Sequence, residues 1–423
     1  MDTQVFAALS AETLPARLGG NTILKEKIGG DSARWQVTEV GDGNLNLVFI
    51  VTGDKGAAIV KQALPYVRLV GESWPLPLKR SYFEYHALVR QSARDPGMVP
   101  EIFFFDAVQA IIVMEYLTPH VILRRALIDG RALPKIGRDL GLFCARTLFR
   151  GSDLSMVTRE KKADMALFAD NVELCDITEN LVFSDPYFEA KLNRHTSPQL
   201  DPLVAELRAD RDLKVEAQRL KHLFSAKAET LCHGDLHTGS VMVTDEETRV
   251  IDPEFAFYGP ISFDVGMLLA NFWMSYFAQS GHESGSAGRD DMRAYLLDTI
   301  ETIWETFRAE FAHLWRSERA GILYPASLFE DRGDLLGAEQ ALNIVLDEIY
   351  REMLGFAGIE MHRRILGLAH NADFETIADP DRRATCERKA LKLGRHLAVN
   401  RHRIHSLKDV RATAERLEKE TLA

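Results

Sequence analysis

Two short acidic motifs in this chain could do chemistry together. One reads Cys232-His233-Gly234-Asp235-Leu236-His237-Thr238-Gly239-Ser240, and seventeen residues after Asp235 the other reads Asp252-Pro253-Glu254. Each triplet alone is ordinary turn sequence, because Asp, Gly and Pro dominate turns. The interval between them holds the strand-like Val241-Met242-Val243, a turn over residues 245–248, and Val250-Ile251. One β-turn-β element therefore carries carboxylates at both of its ends. Phosphoryl transfer asks for that supply: one carboxylate to accept or orient the attacking hydroxyl, and others to hold Mg²⁺ against nucleotide phosphates. His233 and His237 have no cysteine or third histidine at metal spacing, so they are expected to be structural hydrogen-bonding residues.

Other elements must position these acids. Trp35–Val40, Leu45–Thr52 and Ala57–Gln62 are rich in Val, Ile, Phe and Thr and are separated by Gly-Asp punctuation, which predicts a three-stranded meander. Lys79–Arg90 switches to helical spacing, and Glu101–Asp106 and Gln109–Tyr116 return to strand character. After Pro119 helical patterns dominate, the clearest being the stripe Leu296, Ile300, Ile303, Phe307, Phe311, Leu314, which reads as core. The expectation is an α+β chain of two lobes, with an antiparallel sheet and one major helix in residues 1–117 and a larger, mainly helical lobe in 118–423.

Bulk properties exclude several classes. At 423 residues with 46% hydrophobic and 27% charged residues, the chain is an ordinary globular protein with room for two lobes. A net charge of -11 gives no general footing for nucleic acid. The most basic stretch, Arg382–Arg403, is expected to be a solvated helix face. Cys144, Cys175, Cys232 and Cys386 form no CxxC pair, and no apolar run reaches membrane-spanning length. Reduced thiols, a cytoplasmic location and no membrane partner are the expectation.

Together these motifs resemble the catalytic loop and metal motif of the aminoglycoside phosphotransferase and choline kinase superfamily, which shares the protein-kinase fold. That superfamily usually has Asn where this chain has Ser240, and usually follows its metal Asp differently. Both departures match one branch, the methylthioribose kinases, which carry HGDLHTGS and DPE. The resemblance implies that Asp235 is the catalytic base, also in contact with substrate, and that Asp252 is the Mg²⁺ ligand. Glu254 is implied as a second metal or nucleotide-phosphate ligand. Two carboxylates two residues apart on an extended segment point to one face, so they could share a metal.

Upstream, Gly41-Asp42-Gly43-Asn44-Leu45-Asn46 resembles the family's nucleotide-covering segment, with Asn44 contacting ATP. Ala57-Ala58-Ile59-Val60-Lys61 resembles the kinase strand whose lysine draws the α- and β-phosphates. Glu84 is a candidate partner for that lysine, and Glu72 competes for the role. Trp74, between Pro75 and Ser73, resembles a Trp-bearing loop of the branch and would border the sugar. The backbone of Glu115, Tyr116 and Leu117 would read adenine, and Pro253 joins the ATP-binding set by its place in the motif. Arg363-Arg364 resembles a substrate-side arginine pair, and helix geometry predicts that only one of them faces the site.

The activity implied is ATP-dependent phosphorylation of S-methyl-5-thioribose at its 1-hydroxyl, with ATP and Mg²⁺ as cofactors and a homodimer as the assembly. Another small-alcohol kinase of the superfamily is the first rival, and a nucleotide-binding pseudokinase serving as an interaction module is the second.

Overall fold

Period-two burial builds the first sheet. In the computed structural model, which describes residues 6–41, 45–67, 71–283 and 288–420, two short helices, α1 (Leu14–Leu18) and α2 (Thr22–Ile28), precede strands β1 (Gln36–Glu39), β2 (Asn46–Thr52) and β3 (Ala57–Ala63). These three strands form the expected antiparallel meander. A small ribbon, β4 (Tyr66–Val67) with β5 (Gly71–Pro75), leads into helix α3 (Arg80–Arg94), then β6 (Ile102–Asp106) and β7 (Ile111–Glu115). The sheet order is β1-β2-β3-β7-β6, so the α3 connection returns the chain to pair β7 directly with β3.

Phe49 and Val51, Ala58 and Val60, and Ile111 and Val113 turn toward one face, where Leu14, Leu18, Leu24 and Ile28 complete a core. Lys61 follows Val60, so the strand alternation sends it to the opposite face, where it meets α3. A one-residue slip of β3 would exchange Val60 for Lys61. That would forfeit about 1.5–3 kcal/mol per buried apolar side chain and place an ammonium in the core, so the register is well specified.

The rest of the chain is mainly helical, in chain order β8 (Val121–Ile122), α4 (Leu123–Ile128), α5 (Ile136–Arg150), α6 (Thr158–Phe168), α7 (Val172–Leu181), α8 (Asp201–Ala209) and α9 (Arg211–Ala226). Short strands β9 (Thr230–Cys232), β10 (Val241–Val243), β11 (Thr248–Val250) and β12 (Phe257–Gly259) follow. Helices α10 (Ser262–Ala278), α11 (Asp290–Ser317), α12 (Leu335–Leu366), α13 (Ala372–Glu375), α14 (Pro380–Asn400) and α15 (Leu407–Lys419) complete it. Every residue of α10 is buried, as expected of a helix apolar on nearly all sides. The predicted α11 stripe is buried throughout. The basic stretch on α14 is only partly solvated, because Lys389 and Arg401 are buried, donating to Glu418 O and Glu216 Oε2. All four cysteines are free, and among the described residues no helix is long and apolar enough to cross a membrane.

The chain divides into two units. The sheet unit comprises residues 1–120 with 171–174 and 249–256, and the helical unit comprises 121–170, 175–248 and 257–423. The interval after β9 thus contributes to both: Asp235 belongs to the helical unit, and Asp252 and Glu254 belong to the sheet unit.

Candidate active site

In the sheet unit, Lys61 is gripped from two sides. Its ammonium donates to Glu84 Oε1 on α3 at 2.8 Å and to Asp252 Oδ1. Glu84 is therefore the lysine's partner from the helix; the side chain of Glu72, the competing candidate, lies outside the described residues. Burial would lower the Lys61 pKa, but Asp252, Glu84 and Glu254 outweigh it and raise it, so the ammonium stays charged.

Asp252 and Glu254 come together differently from the extended arrangement expected. Asp252 has φ 70°, in the left-handed region that Asp tolerates better than most residues, and Ala256 N closes the following turn onto Pro253 O at 3.1 Å. Asn171 holds the turn by donating from Nδ2 to Glu254 O and Ala256 O, both at 3.0 Å. The Glu254 carboxylate is buried and accepts from Asn46 Nδ2 at 3.1 Å and Arg80 Nε at 3.3 Å, both on Oε2. Oxygens of Glu84, Asp252 and Glu254 all lie within 4.8 Å of one another. Burial, then the Asp252 charge, raises the Glu254 pKa. Hard oxygen donors crowded with like charge are a fitting set for Mg²⁺, whose charge would relieve that crowding.

In the helical unit the catalytic-loop sequence is pinned from beneath. Asp264, buried on α10, accepts the backbone N–H groups of His233 at 2.6 Å and Gly234 at 3.0 Å. Gly234 has φ 87°, which supplies the sharp turn before Asp235. Ser240 Oγ donates within the loop, to Asp235 O at 3.1 Å or His237 O at 2.9 Å, and accepts from His237 N at 2.9 Å. In the place where the superfamily usually has Asn, Ser240 is thus a loop cap. His233 Nδ1 accepts from Asp235 N at 3.3 Å, and His237 Nδ1 accepts from Gly239 N at 2.9 Å, so both histidines are structural, as expected.

The Asp235 carboxylate faces Arg364 Nη2 at 2.9 Å, Arg363 Nη1 at 3.6 Å and His237 Nε2 at 3.3 Å. Burial would raise its pKa, but His237 and the two arginines outweigh it and hold the carboxyl well below the usual range. Burial pushes His237 itself down to about 4, so at neutral pH the arginines supply the charge and His237 a neutral Nε2–H. Both members of the arginine pair reach Asp235, contrary to the expectation of one. Glu360, fully buried one turn earlier, explains this: it accepts Arg364 Nε at 2.5 Å and Arg363 Nη1 at 3.2 Å, gathering two side chains that would otherwise diverge. Arg124 on α4 brings a third guanidinium to the loop, donating to Thr238 Oγ1 at 3.1 Å and Asn271 Oδ1 at 2.9 Å.

Of the remaining sequence candidates, Glu115 ends β7 opposite Ala58, and Tyr116 and Leu117 continue beyond the ladder. Pro253 is buried in the Asp252 turn, and Trp74 is half-buried on β5. Asn44 lies outside the described residues. Sequence reasoning missed Arg80, Asn46, Glu360 and Arg124. A signal existed for Glu360, whose i,i+3 and i,i+4 spacing to the arginine pair is that of a helical ion pair.

Residues 36–295 match the phosphotransferase enzyme family. The chain is 42% identical over 412 residues to a methylthioribose kinase of Escherichia coli O45:K1, spanning 97% of this chain and 98% of that relative. It is also 42% identical to methylthioribose kinase 1 of Oryza sativa subsp. japonica, over 96% of this chain and 95% of the relative. A methylthioribose kinase of Geobacillus kaustophilus matches at 42% over 88% and 89%. Among solved structures, a glucosamine kinase in complex with glucosamine, ADP and inorganic phosphate matches 84% of this chain and 85% of its own at 16% identity, with a TM-score of 0.43.

Proposed function

Because the chain belongs to the phosphotransferase enzyme family and, within it, to the methylthioribose kinases, we propose that it transfers the γ-phosphoryl group of ATP to the 1-hydroxyl of S-methyl-5-thioribose, giving the 1-phosphate and ADP in methionine salvage. The sheet unit binds the nucleotide, and the helical unit carries the catalytic loop and the sugar. Lys61, steadied by Glu84, draws the α- and β-phosphates. Backbone at Glu115–Leu117 reads adenine, Asn44 contacts the nucleotide, and Trp74 borders the sugar. Asp252 and Glu254 would hold Mg²⁺, whose charge would offset that of the nucleotide phosphates.

Asp235 accepts the hydrogen bond of the anomeric hydroxyl and aims its oxygen. A carboxylate held so acidic is a weak base toward a ground-state alcohol. In a loose phosphoryl-transfer transition state, however, the attacking oxygen sheds its proton late, and orientation carries most of the work. Arg363 and Arg364 lie beside the same carboxylate and balance charge as it builds on the transferred group. The protein acts in the cytoplasm as a homodimer, with neither nucleic acid nor membrane as partner.

The observation that carries this reading is the approach of both arginines to Asp235. A cationic acceptor such as choline or an aminoglycoside would be repelled there, whereas a neutral sugar that becomes an anionic phosphate suits it. ADP release measured with methylthioribose, ribose, choline and kanamycin should show a clear preference for methylthioribose. A preference for choline or kanamycin overturns the substrate assignment.

A further inference from the structure

Arg80 opens α3, where helix chemistry disfavours it. Position N1 sits at the positive end of the helix dipole, the first turn contains no acid, and the N-cap residue is Lys79 with no side-chain cap. A cation in that position typically loses about 0.3–1 kcal/mol, and Arg80 is in addition fully buried. Something must offset both penalties.

The offset is a complete set of acceptors. A guanidinium has five N–H donors, and Arg80 has five partners: Nε donates to Glu254 Oε2, Nη1 to Leu64 O and Pro77 O, and Nη2 to Leu45 O and Asn46 Oδ1. Those acceptors come from the start of β2, the end of β3, the segment before α3 and the acidic turn. Arg80 and Glu84 lie one helical turn apart, so α3 presents a cation to Glu254 and an anion to Lys61 from the same face.

Followed around, the charges form a chain: Arg80 to Glu254, then Asp252 to Lys61, then Lys61 to Glu84 and back to α3. Opposite charges meet at every link except one. Between Glu254 and Asp252 two acids adjoin, and three carboxylates in all stand against two cations. Arg80 and Asn46 both bind Glu254 through Oε2, so neither of them occupies Oε1.

We infer that Arg80 is a positioning residue for the divalent cation: it fixes the Glu254 carboxylate by one oxygen, presents the other to the metal, and makes the placement of α3 and the completeness of the metal site depend on each other. The inference rests on the kinase reading above. It would give a chain with Ser240 in place of the usual Asn a further anionic oxygen donor for the metal, on a glutamate that a buried arginine orients. Partners that orient a metal ligand in this way typically contribute about 10–100-fold in metal affinity.

The test uses the full-length protein with Mn²⁺ as the spin-active cation and ADP as the nucleotide, so that no turnover is involved. Mn²⁺ affinity of the ADP complex is read by electron paramagnetic resonance, and metal-free ADP affinity by calorimetry, for wild type, R80K, R80Q and N46A. Arg80→Lys keeps the charge but gathers its donors on one nitrogen, which cannot serve five separated acceptors. In folded Arg80 variants Mn²⁺ affinity should fall about 10-fold or more while metal-free ADP affinity holds. Asn46→Ala removes the second donor on Oε2 together with one of the five Arg80 acceptors, leaves the Glu254 and backbone-carbonyl bonds of Arg80 intact, and should give a smaller loss of the same kind. It decides the matter alone if the Arg80 variants do not fold. Undiminished Mn²⁺ affinity in N46A or in a folded Arg80 variant overturns the inference, as does an equal fall in metal-free ADP affinity. A wild-type protein that binds no Mn²⁺ with ADP would instead overturn the kinase reading itself.

Discussion

Arg364 donates to Asp235 Oδ1 at 2.9 Å from Nη2 while Glu360 holds its Nε at 2.5 Å. The guanidinium is thus stretched between an anchor on its own helix and the carboxylate proposed as catalytic. Arg363 shares the anchor but stops 3.6 Å from Asp235.

This difference in reach orders the two arginines. Arg364→Met should lower kcat/KM by about 10²–10³, the loss typical of removing one preorganised charge stabiliser, and Arg363→Met should lower it less. Because Arg364 depresses the Asp235 pKa, its loss should also move the acid limb of the kcat/KM profile to higher pH. Equal losses in the two variants with an unmoved acid limb would show that the arginines serve only to hold the helix.

Asp235→Asn keeps the size of the side chain and removes its charge. Turnover should fall by about 10³ or more while ATP affinity is retained, because the nucleotide is assigned to other residues. Kinetics and equilibrium ATP binding on the same preparation give the answer, and undiminished turnover would take Asp235 out of the mechanism.

Chelation should silence the enzyme and Mg²⁺ should restore it. In Asp252→Asn the Mg²⁺ concentration for half-maximal rate should rise by about 10-fold or more, since an ionised oxygen donor is lost from the metal set. Full activity in excess chelator would refute a divalent requirement.

Acid should destabilise the protein through His362. This residue is buried, bonded to Tyr187 OH at 3.1 Å and Leu391 O at 3.0 Å, and burial pushes its pKa down to about 4 from 6.5. Between those values the unfolded chain binds more protons than the folded one, so stability falls as pH falls. His362 alone should cost about 2 kcal/mol on going from pH 7 to pH 5. Urea unfolding at both values should show a shallower decline in His362→Gln, and parallel declines would clear His362 of the effect.

Much of this architecture was legible. The meander, α3 and the α11 stripe followed from periods of two and 3.6 residues, because a half-buried strand or helix cannot hide its pattern. The nearness of Asp252 and Glu254 was also legible, but the route to it was not: a single left-handed residue redirects the chain, and composition carries no φ value. The arginine pair was misread because helix angles were weighed without Glu360, whose burial is a tertiary fact. In sequence Arg80 is one more charge in a stretch read only for its helical spacing. Its misplacement against the helix dipole was the signal that could have singled it out.

Residues 171–174 and 249–256 belong to the sheet unit though they lie far along the chain. Val250 N bonds Met98 O at 2.7 Å, and Asn171 braces the acidic turn. During synthesis, residues 1–120 therefore emerge with Glu84 already available to Lys61, but with Arg80 destined for an interior whose carboxylate partner, Glu254, has not yet been translated. A buried cation without its anion is strongly unfavourable. The ribosome must deliver well over half of the polypeptide before its first sheet can settle, and a fragment ending after β7 should remain a client of chaperones.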